Sequence, residues 1–334
     1  MSENMNRRRF FKTSLAASAA GVLGLSLEEK ILLAQTQQQP QAAPAGAQGA
    51  RTPLALEGNA VDKTLPMGKI GKISVSRLIT GGNLIGAYGH SGDLIYVSTL
   101  LRNYFTEEKC FEVWRISEEN GINTCILNNT TRDVAFIEVL NKYQKAGGKM
   151  QLIAQCNPTA DDPTTNLKVA IDHGAVGCFV QGQVADRFVS NNQLDVIEKC
   201  ISFIQENGAV AGVGGHNSAT AAAVEKAGIK NDFYMKTFHP SNYWSFNLPQ
   251  ASDTTYCVDP DVVTDLFKTV EKPMIAYKVL AAGRVRPRDA FQYVFQNGAD
   301  FVAVGMFDFQ IAEDVIHASN IVYNLEGRER SWRG

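Results

Sequence analysis

Two histidines, two lysines, one thiol and a crowd of amides recur at one kind of position in this chain, the end of a short apolar run. In order, these positions carry Gly82-Asn83, Asn128-Asn129, Gln155-Cys156-Asn157, Gln181-Gly182-Gln183, His216-Asn217, His239-Pro240, Lys278 and Met306-Phe307-Asp308, with Lys236 inside the sixth run. An amide offers donor and acceptor on one group, so Asn83, Asn128, Gln155, Gln181, Gln183 and Asn217 together suit a ligand with many hydroxyls. His216 and His239 are candidate proton carriers, and Lys278 is a candidate for stabilising developing negative charge. A desolvated lysine is also a potential nucleophile or base, but Gly283-Arg284 just beyond Lys278 suits a bound anion better. The same two histidines with Asp308, and with His90-Ser91-Gly92-Asp93 nearby, would make a mixed nitrogen–oxygen site for a divalent metal, although no HxH or HxxxH spacing marks one. Cys156 lacks an activating motif and reads as a ligand-lining or packed thiol. Alternation along the sixth run turns either Lys236 or His239 inward. Trp244, beside Tyr243, supplies an aromatic face for a sugar ring or an anchor for its loop.

These residues need a scaffold that brings eight run ends together. Apolar runs at 77–80, 123–127, 150–155, 176–180, 209–213, 233–238, 274–279 and 301–304 are each followed by a helix-length amphipathic stretch. Such alternation predicts parallel βαβ units with one hand of crossover. Eight of them predict a single-domain α/β fold, a (β/α)8 TIM barrel over residues 66–334, whose chemistry sits where strands end. Thr106 with Glu107 and Glu108 reads as a helix start, Asp259-Pro260 as another, and Gly121, Gly174, Gly208, Gly228 and Gly298 as helix stops.

The first 65 residues stand outside this pattern. Arg7-Arg8-Arg9 precedes Phe10-Phe11-Lys12 and a weakly apolar stretch rich in Ala, Gly and Ser, which resembles a twin-arginine export signal over 1–34. The apolar stretch is short of the roughly 20 residues a spanning helix requires. Export would make the protein periplasmic or otherwise extracytoplasmic, with the twin-arginine translocase as its partner. Residues 35–65 read as low-complexity linker and N-terminal extension. A net charge of −2 with no dense basic run outside the leader argues against nucleic acid as a partner. The six cysteines match no disulfide or zinc spacing, and Cys110, Cys125, Cys178 and Cys200 read as small buried hydrophobes.

Lys69-Ile70-Gly71-Lys72-Ile73-Ser74-Val75-Ser76-Arg77-Leu78 followed by Gly81-Gly82-Asn83 resembles the opening of the aldo/keto reductase family. Gly121-Ile122-Asn123 resembles that family's second strand start, and the segments Lys278 to Arg284 and Val302 to Met306 resemble its last two strands. The resemblance implies an NADP-dependent oxidoreductase with NADP(H) held near Gly283 and Arg284. It also implies a tetrad of Asp, Tyr, Lys and His. That tetrad does not carry over: the aspartate position falls near Ile126, no tyrosine follows within Asn128-Asn129-Thr130-Thr131-Arg132, and Cys156 and Gln181 stand where the lysine and histidine belong.

With the tetrad missing, the residues favour non-redox acid/base chemistry of lyase, isomerase or epimerase type on a small hydroxylated, sugar-derived substrate. His216 or His239 would move the proton. The alternatives are an NADP-dependent reductase with a displaced tetrad and a non-catalytic small-ligand binding protein. The cofactor is left open between none, a divalent metal and NADP(H).

Overall fold

The computed structural model describes residues 64–92, 94–130, 133–246 and 254–334. The leader, most of the linker and Asp93 lie outside the described residues. Eight parallel strands close into a barrel: β3 (Leu78–Gly81), β4 (Thr124–Asn129), β5 (Gln151–Cys156), β6 (Gly177–Val180), β7 (Val210–Gly215), β8 (Phe233–Thr237), β9 (Met274–Tyr277) and β10 (Phe301–Val304), with β10 pairing β3. The fold is the expected (β/α)8 TIM barrel, and its strands fall within two residues of the apolar runs at most ends. An antiparallel hairpin, β1 (Met67–Ile70) and β2 (Ile73–Ser76), precedes them; the run pattern does not announce it.

Parity divides each strand between two cores. Ile79, Ile126, Ile153, Phe179, Val210, Phe233, Met235, Ile275, Phe301 and Ala303 fill the barrel interior, joined by Ile70, Ile73 and Val75 of the hairpin, which plugs one end. The alternate residues, Leu78, Cys125, Leu127, Leu152, Ala154, Cys178, Val180, Tyr234 and Ala276 among them, pack outward against the helices. Both faces are buried because helices cover a parallel sheet.

Helices α1 (Tyr96–Tyr104) and α2 (Glu107–Glu119) follow β3, and α3 (Val134–Lys145) follows β4. Next come α4 (Thr165–Asp172), α5 (Gly182–Ser190) and α6 (Leu194–Glu206), α7 (Ser218–Ala227), α8 (Pro260–Thr269), α9 (Pro287–Gln296) and α10 (Ile311–Asn324). Thr106 caps α2 as expected, its Oγ1 accepting from the Lys109 backbone N–H at 3.2 Å. Asp259 precedes Pro260 but does not cap α8 with its carboxylate, which instead accepts from Ser218 Oγ at 3.0 Å. All six cysteines are buried free thiols. Among the described residues no helix is long and apolar enough to cross a membrane.

Candidate active site

The interior face of each strand, continued by one more alternation, reaches the open end of the barrel. Two residues beyond Ile79, Ile126, Ile153, Phe179, Met235, Ile275 and Ala303 stand Gly81, Asn128, Gln155, Gln181, Thr237, Tyr277 and Gly305, and the same parity along β7 brings His216 inward. Of this ring, all but Thr237 line a cavity of about 580 Å³. Its upper walls come from the loop after β3 (Asn83, Leu84, Tyr88, His90), from Thr254–Tyr256 and from Lys278–Gly283. The size falls within the range of small-molecule and cofactor sites.

One arc of the ring is amide. Gln155 Nε2 donates to Asn128 Oδ1 at 2.6 Å, which fixes both groups. Gln181 caps α5, its Oε1 accepting from Val184 N–H at 2.9 Å, and Gln183 follows in the first turn. The adjoining β3–β10 side combines Gly81, Gly82 and Gly305 with Leu84, Val304 and Phe307; a Cβ at Gly81 or Gly82 would strike backbone, 2.8 Å from Gly305 N and 2.5 Å from Ile126 O.

A third arc carries the titratable chemistry. His216 Nδ1 lies 2.6 Å from Thr237 Oγ1 and 3.1 Å from the Tyr277 hydroxyl, with that hydroxyl 3.5 Å from Nε2. Gly182 admits this pair: a Cβ there would fall 2.5 Å from Tyr277 Oη and 3.1 Å from His216 Nε2. Burial, helped by the positive charges of Lys278 and Lys236, pushes the His216 imidazole down to about 3, so it is neutral at ordinary pH. Burial holds the Tyr277 phenol well above its usual range, so it is protonated. Lys278 directly follows β9 with φ +58, its Nζ 2.5 Å from Thr254 Oγ1 and 3.4 Å from His90 Nε2, and Asn83 Nδ2 meets the same His90 nitrogen at 3.2 Å. The next turn holds two further non-glycine left-handed residues, Ala281 and Ala282, before Gly283 at φ +82. Backbone strain concentrated in one loop is a mark of a functional segment.

Asn83, Asn128, Gln155, Gln181, Gln183, His216, Lys278 and Gly283 therefore share the cavity, while several other expected residues do not. His239 is 0 % exposed, and both its ring nitrogens are taken by backbone: Nδ1 by Pro240 O at 2.9 Å and Nε2 by Cys257 N–H at 2.8 Å. It clips the two ends of a long loop together, and its pairing with His216 for proton transfer or metal binding is withdrawn. Cys156 and Lys236 have the outward parity of their strands. The Cys156 thiol is buried against the helix layer, where desolvation holds it far above its ordinary value. Lys236 is 1 % exposed and donates to the backbone oxygens of His216 at 2.7 Å and Thr237 at 3.0 Å.

Asn217 caps α7 through Ala219 N–H at 2.9 Å instead of facing a ligand. Trp244 is 85 % exposed and lines no part of the cavity. Arg284 stands at the rim, donating to Ala281 O at 3.0 Å with its guanidinium 5.3 Å from the Tyr256 ring centre. Asp308 is held by the Tyr104 hydroxyl and, at 3.1 Å, by Lys109, away from the histidines. Among the described residues no three His, Cys, Asp or Glu side chains converge as metal ligands, and the expected metal set does not assemble.

Tyr277 is the residue that reading the run ends missed. The signal was present, since it directly precedes Lys278 and has the parity of Ile275, but it lay inside the apolar run 274–279 and passed for core.

No family model matches the chain, and no curated protein matches it. Solved structures do. A Pseudomonas aeruginosa protein provisionally named an aldo-keto reductase superposes with TM-score 0.55 at 15% identity, covering 79% of this chain and 99% of its own. Glycerol dehydrogenase from Gluconobacter oxydans gives 0.51 at 10%, covering 75% and 89%. An aldo-keto reductase from Klebsiella pneumoniae, in complex with NADPH, gives 0.50 at 12%, covering 80% and 92%. At these identities the likeness is one of fold: the chain is an aldo-keto reductase-like TIM barrel.

Proposed function

We propose that this protein is an NADP(H)-dependent oxidoreductase that reduces the carbonyl of a small hydroxylated substrate, with Tyr277 as proton donor in place of the missing tetrad tyrosine. The observation that carries the reading is the Tyr277–His216 contact at 3.1 Å beside Lys278, at the open end of an aldo-keto reductase-like barrel. The two-histidine, non-redox scheme loses its second proton carrier with His239, and His216 is too weak a base to supply protons near neutral pH.

The cavity fits a nicotinamide cofactor on two counts. The volume of about 580 Å³ gives room for a nicotinamide ring beside Leu84 and Phe307, and a Cβ at Gly283 would have no atom within 4 Å, which leaves the 281–283 turn open toward a phosphate. Left-handed turns present backbone N–H groups in the manner of an anion nest, and Lys278 and Arg284 add positive charge on the same loop. Bound NADPH would supply a hydride to the carbonyl carbon. Tyr277 Oη gives its proton to the carbonyl oxygen as negative charge develops there, and solvent later restores it. Neutral His216, bonded to Thr237, orients that hydroxyl. Lys278 favours the developing charge. Asn128, Gln155, Gln181 and Gln183 hold the substrate hydroxyls.

The arginine-led N-terminus supports export by the twin-arginine route, which carries folded proteins with cofactor in place. The test is fluorescence titration of the purified protein with NADPH, then cofactor oxidation with short hydroxylated aldehydes and ketones. NADPH is expected to bind, and Tyr277→Phe to keep that binding while kcat drops about a hundredfold or more. A protein that ignores NADPH, or a Tyr277→Phe variant that turns over normally, would overturn the reading. Binding of hydroxylated ligands without conversion would make the barrel a receptacle instead.

A further inference from the structure

We propose that Asp186 and Lys236 form a charged brace that positions His216 and Thr237, and through them the Tyr277 hydroxyl, for proton transfer. The inference rests on the reading of Tyr277 as proton donor.

His216 is the first residue after β7, where strand hydrogen bonding has ended and the α7 cap begins with Asn217. Its two backbone groups are nonetheless both held by charged side chains from other elements. Asp186 of α5 accepts from His216 N–H on Oδ2 at 3.0 Å, and from Asn217 N–H at 3.3 Å and Thr220 Oγ1 at 2.6 Å on Oδ1. Lys236 of β8 approaches from the other side and donates to His216 O at 2.7 Å and Thr237 O at 3.0 Å. One ammonium thus ties the peptide behind the imidazole to the peptide behind the hydroxyl that bonds the same imidazole.

A glycine brings α5 close enough for this. A Cβ at Gly214 would lie 2.6 Å from Val180 O and 2.8 Å from Gly182 N, at the start of the helix that carries Asp186. A buried ammonium bonded to backbone carbonyls is an expensive way to satisfy those carbonyls, since strand or solvent partners would do so without desolvating a charge. What the charge adds is shorter and stiffer hydrogen bonds.

The charges around the pair are consistent with bracing. Burial lowers the Lys236 ammonium below its usual range, opposed by the carboxylates of Asp259 and Asp186, while burial and then the charges of Lys278 and Lys236 keep the His216 ring neutral.

The test uses ¹⁵N NMR of the histidine rings and backbone amides in the full chain, alongside NADPH binding and turnover. Lys236→Met removes both donors at similar length, and Asp186→Asn keeps the acceptor for Thr220. In both variants the His216 ring resonances are expected to move and broaden while those of His173, on the outer helix layer, stay. NADPH affinity should hold and kcat fall about a hundredfold, as for an ångström-scale misplacement. Unmoved His216 resonances overturn the brace whatever the reaction proves to be. Resonances that move with normal turnover overturn it too, because the brace would then position nothing the reaction uses. A wild type that binds no NADPH, with His216 still shifting in the variants, sinks the reaction and keeps the brace as a positioning device for that ring. Should neither variant fold, the unsubstituted protein decides: slow exchange of the His216 amide and Lys236 ammonium protons supports the brace, and fast exchange at both overturns it.

Discussion

Two residues of one type, His216 and His239, stand at the ends of neighbouring strands and have opposite fates. His216 presents its ring to a cavity, with the Thr237 and Tyr277 hydroxyls both close to its Nδ1. His239 spends both nitrogens on backbone and holds a loop closed. Both are kept neutral by burial, at about 3 and about 4 against an ordinary 6.5. The unfolded chain therefore takes up these protons first. Above pH 6.5 neither group costs stability; below it stability falls, until about pH 4 for His239 and about pH 3 for His216, by on the order of 3 and 5 kcal/mol respectively. Asp314, pushed up to about 7 by burial, works in the other direction, losing stability as pH rises from its ordinary 3.8. The difference between wild type and His239→Asn isolates the histidine. Denaturant unfolding between pH 7 and 4.5 is expected to show a flatter pH dependence for the variant. It should also be less stable at pH 7, by about 1–3 kcal/mol for the Cys257 N–H and Pro240 carbonyl left unpaired.

At the scale of elements, α5 does more than connect β6 to the helix layer. Its cap, Gln181, and Gln183 in its first turn form part of the cavity wall, and its second turn supplies Asp186. Gly182 is where the helix start and the Tyr277–His216 pair meet. Gly182→Ala pushes a methyl against the far end of the tyrosine side chain, which can swing aside, so the fold should tolerate it and the chemistry should not. We expect a melting temperature near wild type with kcat reduced about a hundredfold; thermal unfolding and steady-state kinetics on one preparation check both halves.

At the scale of the whole molecule, barrel closure rests on a buried charge network beneath the β3–β10 seam. Asp300, 0 % exposed, pairs with Arg330 and, at 2.9 Å, with Arg328, and accepts from Met274 N–H at 2.9 Å. Arg77, just before β3, donates to Asp300 O at 3.0 Å and stacks between the Phe301 and Trp332 rings at 4.8 and 4.4 Å. Asp300→Asn would leave two buried guanidiniums without their carboxylate, and urea unfolding is expected to register a loss of about 3–5 kcal/mol. The leader belongs to this scale as well. From the proposed twin-arginine route, replacing Arg8 and Arg9 together by lysine is expected to retain the protein in the cytoplasm, read by cell fractionation.

The strand–helix alternation, most strand limits and the amide arc were all legible in the chain, because periodicity and turn chemistry are set by near neighbours in sequence. Asn128, Gln155 and Gln181 follow from parity alone once the strands are drawn. Parity also turned Cys156 and Lys236 away from the mouth, a consequence that reading run ends without fixing the inward face could not draw. What only the tertiary structure decided is which distant groups meet. Tyr277 ends β9 and His216 directly follows β7, strands separated by β8, so closing and twisting the barrel brings the phenol beside the imidazole. The fate of His239 was settled by a loop folding back eighteen residues on. Sequence by itself determined a barrel with a polar mouth, and closure decided that the mouth holds a tyrosine–histidine pair instead of two histidines. Neighbours along the chain set the first; contacts that exist only after long loops and all eight strands have closed set the second.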